Sequence, residues 1–232
     1  MMHKVLVGCP TSFHKEYCLE LYIQTVNRLT YKNYDILLID NSPDDTYLDK
    51  ISALGIKAIK GPYHENARDR IVMSRNLLKD YAIKNGYDYL LSLEQDVIPP
   101  LDIIERMLSH KKKVITGIYF ARNMIENKKM LIPLVYVEIP SKNDLPSMRP
   151  LNEHELFHGP TLIKVISCGL GCVIIHKDVL KEITFRYDLN TFDDRWFCID
   201  LFNKKIDIYC DISLKCKHMI LNRPYDWADI NK

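Results

Sequence analysis

The first hundred residues alternate between unbroken apolar runs and segments of helical periodicity. Lys4 to Gly8, Asp35 to Asp40 (DILLID), Ile56 to Ile59 and Tyr89 to Leu93 are short runs closed off by proline, glycine or acidic residues. Runs that are continuous rather than alternating mark strands buried on both faces, as in a parallel sheet. Between the first two, Leu19, Tyr22, Ile23 and Val26 fall at i, i+3, i+4 and i+7, which predicts an amphipathic helix. A longer helix is predicted from about Ala67 to Asn85, with Ile71, Leu78, Tyr81 and Ala82 on one face and Gly86 as its stop signal. Strands and helices at this rhythm build right-handed βαβ units, so the ends of the first, second and fourth strands should face one crevice.

Beyond Pro100 the pattern changes. A short helix is predicted at Leu101 to Ser109, with strands at Val114 to Tyr119, Leu131 to Ile139, Leu162 to Ile166 and Cys172 to Ile175. Pro140 to Pro160 is rich in Pro, Asn and Ser and reads as an excursion loop, mobile without ligand and bordering the site. Gly169 and Gly171 leave room for close backbone approach to a ligand. Asp194 to Asn203 reads as a helix, and strand pieces follow as far as His218. The expected fold class is α/β. One Rossmann-like domain is expected over 1–232, with a mostly parallel central sheet and a smaller mixed region, and with its two halves at 1–98 and 99–232.

Charge narrows the partners. With 32 basic and 30 acidic side chains the net charge is +2, which gives no polyanion-binding signature and argues against nucleic acid. Seven cysteines without CxxC spacing argue against a disulfide framework and for a reducing, cytoplasmic setting. Cys168, Cys172, Cys216 and His218 lack the usual spacing of a zinc site. The apolar run before Pro10 is too short for a signal peptide, and no stretch is long enough to span a bilayer, so any membrane contact is expected to be peripheral.

The chemistry concentrates at Glu94-Gln95-Asp96, directly after the apolar run YLLSL. Two carboxylates two residues apart at a strand end suit a hard divalent cation, Mn²⁺ or Mg²⁺, whose remaining coordination diphosphate oxygens complete. Taken alone, the triplet also fits a solvated acidic turn.

Further motifs occur in a fixed order: VLVGCPT, DILLIDNS, SRNLLKDYAIKNGYDYLLSLEQDVIPP, VITGIYF, SCGLGCVIIHKDVL, DDRWFC and KCKH. This order and spacing resemble the nucleotide-sugar glycosyltransferases of the GT-A fold, specifically the inverting family 2 group, from about Val5 to His218. The resemblance implies a metal-dependent hexosyltransferase using a nucleoside-diphosphate sugar donor and a glycan, lipid-linked or protein acceptor. It implies donor contacts at Pro10, Thr11, Asp40, Asn41, Arg75, Glu94 and Gln95. Asp96 and His218 are the implied metal ligands and Asp194 the implied catalytic base. Glu94 and Asp193 stand where the family more often has Asp and Glu, respectively. Arg195-Trp196 lacks the glutamine three positions earlier that the processive-synthase signature requires; Phe192 stands there.

Asp193 and Asp194 also fit a plain helix-capping role. Two other functions are compatible with parts of the pattern: a non-catalytic nucleotide-sugar or glycan-binding module of the same fold, and a metal-dependent phosphohydrolase. The latter fits less well, because Val97 and Ile98 follow the triplet where an Asp-x-Asp-x-Thr pattern would need a threonine.

Overall fold

The computed structural model describes residues 2–125, 128–140, 147–188, 191–220 and 223–225. The chain opens with β1 (Val5–Thr11), a 3-10 turn over Phe13–Cys18, α1 (Leu19–Val26), β2 (Tyr34–Asp40), α2 (Thr46–Ala53) and β3 (Ala58–Lys60). It continues through α3 (Ala67–Lys84), β4 (Tyr89–Leu93), β5 (Val97–Ile98), α4 (Ile103–Ser109) and β6 (Val114–Ile118). There follow β7 (Phe120–Ile125), β8 (Lys128–Pro133), β9 (Val135–Ile139), β10 (Ser147–Pro150), α5 (Glu153–His158), β11 (Leu162–Val165) and β12 (Ser167–Cys168). The remainder is β13 (Cys172–His176), α6 (Lys177–Glu182), α7 (Asp193–Asn203), β14 (Ile208–Lys215), β15 (Lys217–Ile220) and β16 (Arg223–Tyr225).

An eight-stranded sheet in the order β11-β14-β6-β13-β4-β1-β2-β3 forms the centre. β1 pairs in parallel with both β2 and β4, and β2 with β3, as the apolar runs imply. β13 runs antiparallel to both β4 and β6, and β11 antiparallel to β14. The other six strands share one direction, so the sheet is mostly parallel and draws on both halves of the chain. Each face carries its own apolar layer. Leu6, Leu37, Ile39 and Leu90 point to one; Val5, Val7, Leu38 and Leu91 point to the other.

Local chemistry sets the helices. The predicted face of α1, Leu19, Tyr22, Ile23 and Val26, is buried throughout. In α3 the Asn66 side chain accepts from the Arg68 amide at 2.9 Å, which caps the helix. At its other end Gly86 adopts φ +71°, a left-handed stop that glycine adopts without strain.

Several sequence expectations need correction. The run Leu131 to Ile139 is two strands, β8 and β9, interrupted at Leu134, whose amide donates to Tyr119 O at 3.0 Å. Much of the expected loop from Pro140 to Pro160 is regular: β10 pairs with β9, and α5 begins with a capping box between Asn152 and Glu155. Arg149 holds Glu155 through two bonds of 2.6 and 2.9 Å. Asn and Ser there supply caps and a strand start rather than irregular chain. Residues 141–146 of that expectation lie outside the described residues.

Candidate functional site

The strand order β3-β2-β1-β4 places a topological switch point between β1 and β4. The chain leaves β1 towards β2 on one side and returns as β4 on the other, so the connections at their carboxyl ends diverge and leave a crevice. Thr11 ends β1, Asp40 ends β2, and Glu94-Gln95-Asp96 follows β4. A cleft of about 140 Å³ opens there, lined by Pro10, Thr11, Lys15, Asn41, Arg75 and Glu94 among others. Ser12, Ile71 and Gln95 complete its wall.

The buried polar residues are already engaged. Gln95 accepts from Thr11 Oγ1 at 2.5 Å and donates to Lys15 O at 2.5 Å and Tyr47 Oη at 2.8 Å. It therefore fastens the end of β1, the 3-10 turn and α2 together. Asp40 is fully buried; its Oδ1 accepts from Ser42 Oγ at 2.6 Å and its Oδ2 from Lys60 Nζ at 3.0 Å. It does not line the cleft, whereas Asn41 does, with its Nδ2 donating to Ser74 Oγ at 3.2 Å.

Arg75 lies at the floor. Its Nη2 donates to Glu94 Oε1 at 2.5 Å, its Nε to Asp193 Oδ2 at 2.5 Å, and its Nη1 to Ser92 Oγ at 3.2 Å. Burial disfavours the guanidinium charge, but Asp193 and Glu94 outweigh that and hold Arg75 above its ordinary range. One cation thus neutralises an acid from each half of the chain.

Asp96 and His218 meet because β15 pairs with β5, setting His218 opposite Val97. The Met219 amide donates to Asp96 O at 2.6 Å and fixes the register. His218 Nδ1 lies 2.7 Å from Phe120 O, so that nitrogen carries a proton and donates it. Nε2 is left facing Asp96 Oδ2 at 3.5 Å. On the other side, Lys15 Nζ forms an ion pair with the same oxygen, and Tyr17 Oη stands 3.4 Å away. Burial pushes the Asp96 carboxyl up, yet His218 and Lys15 together draw it down to about 2. For His218 burial opposes the charge, and Asp96 more than compensates, raising it above the usual range.

Asp96 Oδ1 is buried without a hydrogen-bond partner. An orphan carboxylate oxygen beside an imidazole nitrogen whose opposite nitrogen is held by a carbonyl is the donor arrangement that a divalent cation uses. Asp96 and His218 fit such an ion as two ligands; among the described residues no group of three His, Cys, Asp or Glu side chains is placed to hold a metal ion.

A second pocket of about 240 Å³ lies beside the start of α7, lined by Tyr136, Met148, Ser167, Cys168, Asp194 and Arg195 among others. The residue before α7 is Phe192, which offers no side-chain cap; Asp193 and Asp194 occupy the first helical turn instead. Asp193 is spent on Arg75. Asp194 Oδ1 accepts from the next amide, Arg195 N, at 2.7 Å, its one hydrogen bond among the described residues. Burial and the charge of Asp193 push the Asp194 carboxyl up to about 6, the range of a general base near neutral pH.

The two glycines expected to approach a ligand make room for Tyr119 instead. A Cβ on Gly171 would lie 2.7 Å from Tyr119 Cζ, and one on Gly169 would strike the phenol oxygen. Tyr119 is itself buried, accepting from the Gly171 amide at 2.8 Å, and its ring meets His218 edge-on at 5.2 Å between centroids. It is therefore a support for His218. No motif marks Lys15 in the sequence; a basic residue in the loop that follows the first strand is the available signal.

No family model matches the chain, and no curated protein matches its sequence. Solved structures do match. A197 from STIV is 18% identical with a TM-score of 0.54, over 96% of this chain and 90% of that one. S. aureus TarS 1–349 in complex with UDP-GlcNAc is 16% identical with a TM-score of 0.52, over 89% of this chain. The same TarS fragment in complex with UDP is 14% identical with a TM-score of 0.53. The chain spans about half of the TarS fragment, 55% and 57% in the two complexes. The likeness is one of fold, a GT-A-like α/β domain.

Proposed function

We propose that this chain is a glycosyltransferase that moves a sugar, a hexose by resemblance, from a nucleoside-diphosphate sugar to an acceptor hydroxyl with inversion. The observation that carries this reading is the placement of Asp194. It is a carboxylate with a base-like pKa of about 6, in its own pocket, coupled through Asp193 and Arg75 to the acidic triplet at the switch point. The solved TarS complexes with UDP and UDP-GlcNAc support a uridine donor as the first to try.

In this reading the nucleotide lies over the ends of β1 and β4, against Thr11, Asn41 and the wall formed by Glu94. Asp96 and His218 would hold a Mn²⁺ or Mg²⁺ ion, which when bound neutralises charge on the departing diphosphate. The acceptor oxygen attacks the anomeric carbon from the side of α7 while its proton passes to Asp194. The bond from that carbon to the diphosphate oxygen breaks, and the diphosphate leaves with the electron pair. A single displacement inverts the anomeric configuration. General-base assistance of this kind contributes roughly 10² to 10⁴-fold. The acceptor class remains that implied by the sequence: a glycan, a lipid-linked carrier or a protein.

Nucleotide-sugar turnover tests the reading. Incubation with UDP-GlcNAc and other nucleoside-diphosphate sugars should release the nucleoside diphosphate, by transfer or by slow leakage to water. Release of inorganic phosphate alone would identify a phosphohydrolase. Binding of the nucleotide sugar with no release under any condition would identify a binding module. Once an acceptor is found, NMR of the product should show the inverted anomer.

A further inference from the structure

The cation beside Asp96 is part of the chain. Lys15 Nζ is paired with Asp96 Oδ2, and the backbone from which that side chain springs is pinned, because Lys15 O accepts from Gln95 Nε2 at 2.5 Å. Gln95 is buried and held in turn by Thr11 and Tyr47. The lysine base therefore has a fixed origin at the switch point, while its side chain is 35% exposed and faces the cleft.

The charges of the cleft wall give this position its meaning. Among the described residues, two cations and one acid line it: Lys15, Arg75 and Glu94. Arg75 is committed to Glu94 and Asp193, so its charge is cancelled within the fold. Among the described residues Lys15 is paired with no carboxylate other than Asp96, and Asp96 also has His218 Nε2 beside it at 3.5 Å. If Lys15 turns from Asp96 to an incoming anion, Asp96 keeps the His218 imidazole as a neighbour. A lysine ammonium on a flexible stem, beginning at a fixed backbone point, is a standard receptor for phosphate oxygens.

We propose that Lys15 is the built-in cation of the donor site: its ammonium binds the diphosphate of the nucleotide, so the protein takes up nucleoside diphosphates without a divalent metal. In the free protein the same ammonium stands against Asp96 and competes with a metal ion for that carboxylate. The inference rests on the donor reading above and adds to it which group supplies the positive charge.

Calorimetry with UDP, and with GDP and ADP for comparison, tests this in EDTA and in Mn²⁺, using the parent protein, Lys15→Met and Lys15→Arg. The parent should bind a nucleoside diphosphate in EDTA. Lys15→Met should lose about tenfold or more in EDTA, the scale of one hydrogen bond to a charged group, while Lys15→Arg keeps most of the affinity. In the absence of nucleotide, Mn²⁺ followed by electron paramagnetic resonance should bind more tightly to Lys15→Met than to the parent. Circular dichroism melting shows whether the variants keep the fold. Nucleotide binding that requires Mn²⁺ and is equal in the parent and Lys15→Met would overturn the role of Lys15 and leave the donor reading standing. Failure of every nucleoside diphosphate to bind the folded parent, with or without Mn²⁺, would overturn both.

Discussion

Arg75 Nε meets Asp193 Oδ2 at 2.5 Å, joining α3 of the first half of the chain to the first turn of α7 in the second. The same guanidinium holds Glu94 at the end of β4. Replacing Arg75 by Met would strand two partly buried carboxylates, a change that typically destabilises by about 3 to 5 kcal/mol. Urea unfolding should show a loss of that order. Arg75→Lys, with one point of charge in place of a fork, should fall between parent and Met variant. Equal stability of all three would show that the carboxylates find other partners.

Asp194→Asn should separate chemistry from donor binding. The amide retains the size of the side chain but cannot take a proton, so turnover should fall by about 10²-fold or more. UDP affinity should be unchanged, because Asp194 lines the second pocket and not the cleft. Steady-state kinetics and calorimetry on the same preparation check both halves of the expectation.

The same variant has a signature in stability. Asp194 moves from an ordinary value of 3.8 to about 6 on folding, so the native state holds the proton more tightly than the unfolded chain does. Its ionisation as pH rises through about 6 weakens the fold. The Asn variant should therefore be more stable than the parent above that pH, by up to about 3 kcal/mol for a shift of roughly two units. The difference should shrink as pH falls from 6 and vanish below about 4, which denaturation at several pH values would show.

The base should also set the acid limb of the pH–rate profile. Turnover is expected to decline below about pH 6 as Asp194 takes up its proton. Because the charge of Asp193 is one of the causes raising that value, Asp193→Asn should move the limb to lower pH. A limb that stays in place would exclude Asp194 as the titrating base.

Gly171→Ala tests the support of His218 without touching it. The added methyl would lie 2.7 Å from Tyr119 Cζ and Oη, forcing the buried ring to shift. Overpacking of this kind typically costs about 1 to 3 kcal/mol. The His218 ring resonances should move as well, since Tyr119 packs edge-on against it. A melting point and NMR spectrum identical to the parent would show that the turn yields instead of the ring.

The parts of this structure that were legible in the sequence are those written locally. The apolar runs at β1, β2 and β4, the face of α1 and the stop at Gly86 follow from periodicity and backbone sterics, and the structure has them within a residue of those positions, except that β1 continues through Pro10 to Thr11, three residues past its expected end. The triplet was visible as an acidic break after YLLSL. The partnerships within the site were not visible: Gln95 with Thr11 and Tyr47, Arg75 with Asp193, and Lys15 with Asp96 join residues 48 to 118 positions apart, and no local pattern encodes them. Gly169 and Gly171 show the same limit. Their small size suggests space for a ligand, whereas the space is filled by Tyr119, a residue some fifty positions earlier.

The antiparallel strand β13 has a consequence for how the protein is made. β4 is paired with β1 on one side only until Cys172 comes opposite Leu93 and Val173 opposite Ser92. During synthesis the first half therefore presents a fully buried-type strand, YLLSL, with an open edge while some eighty further residues are added. At roughly 5 to 20 residues per second this interval lasts several seconds, long enough for edge-to-edge association. Chains terminated before residue 172 should accumulate as aggregates, and ribosome-bound intermediates of that length should be clients of chaperones that cover unpaired strands.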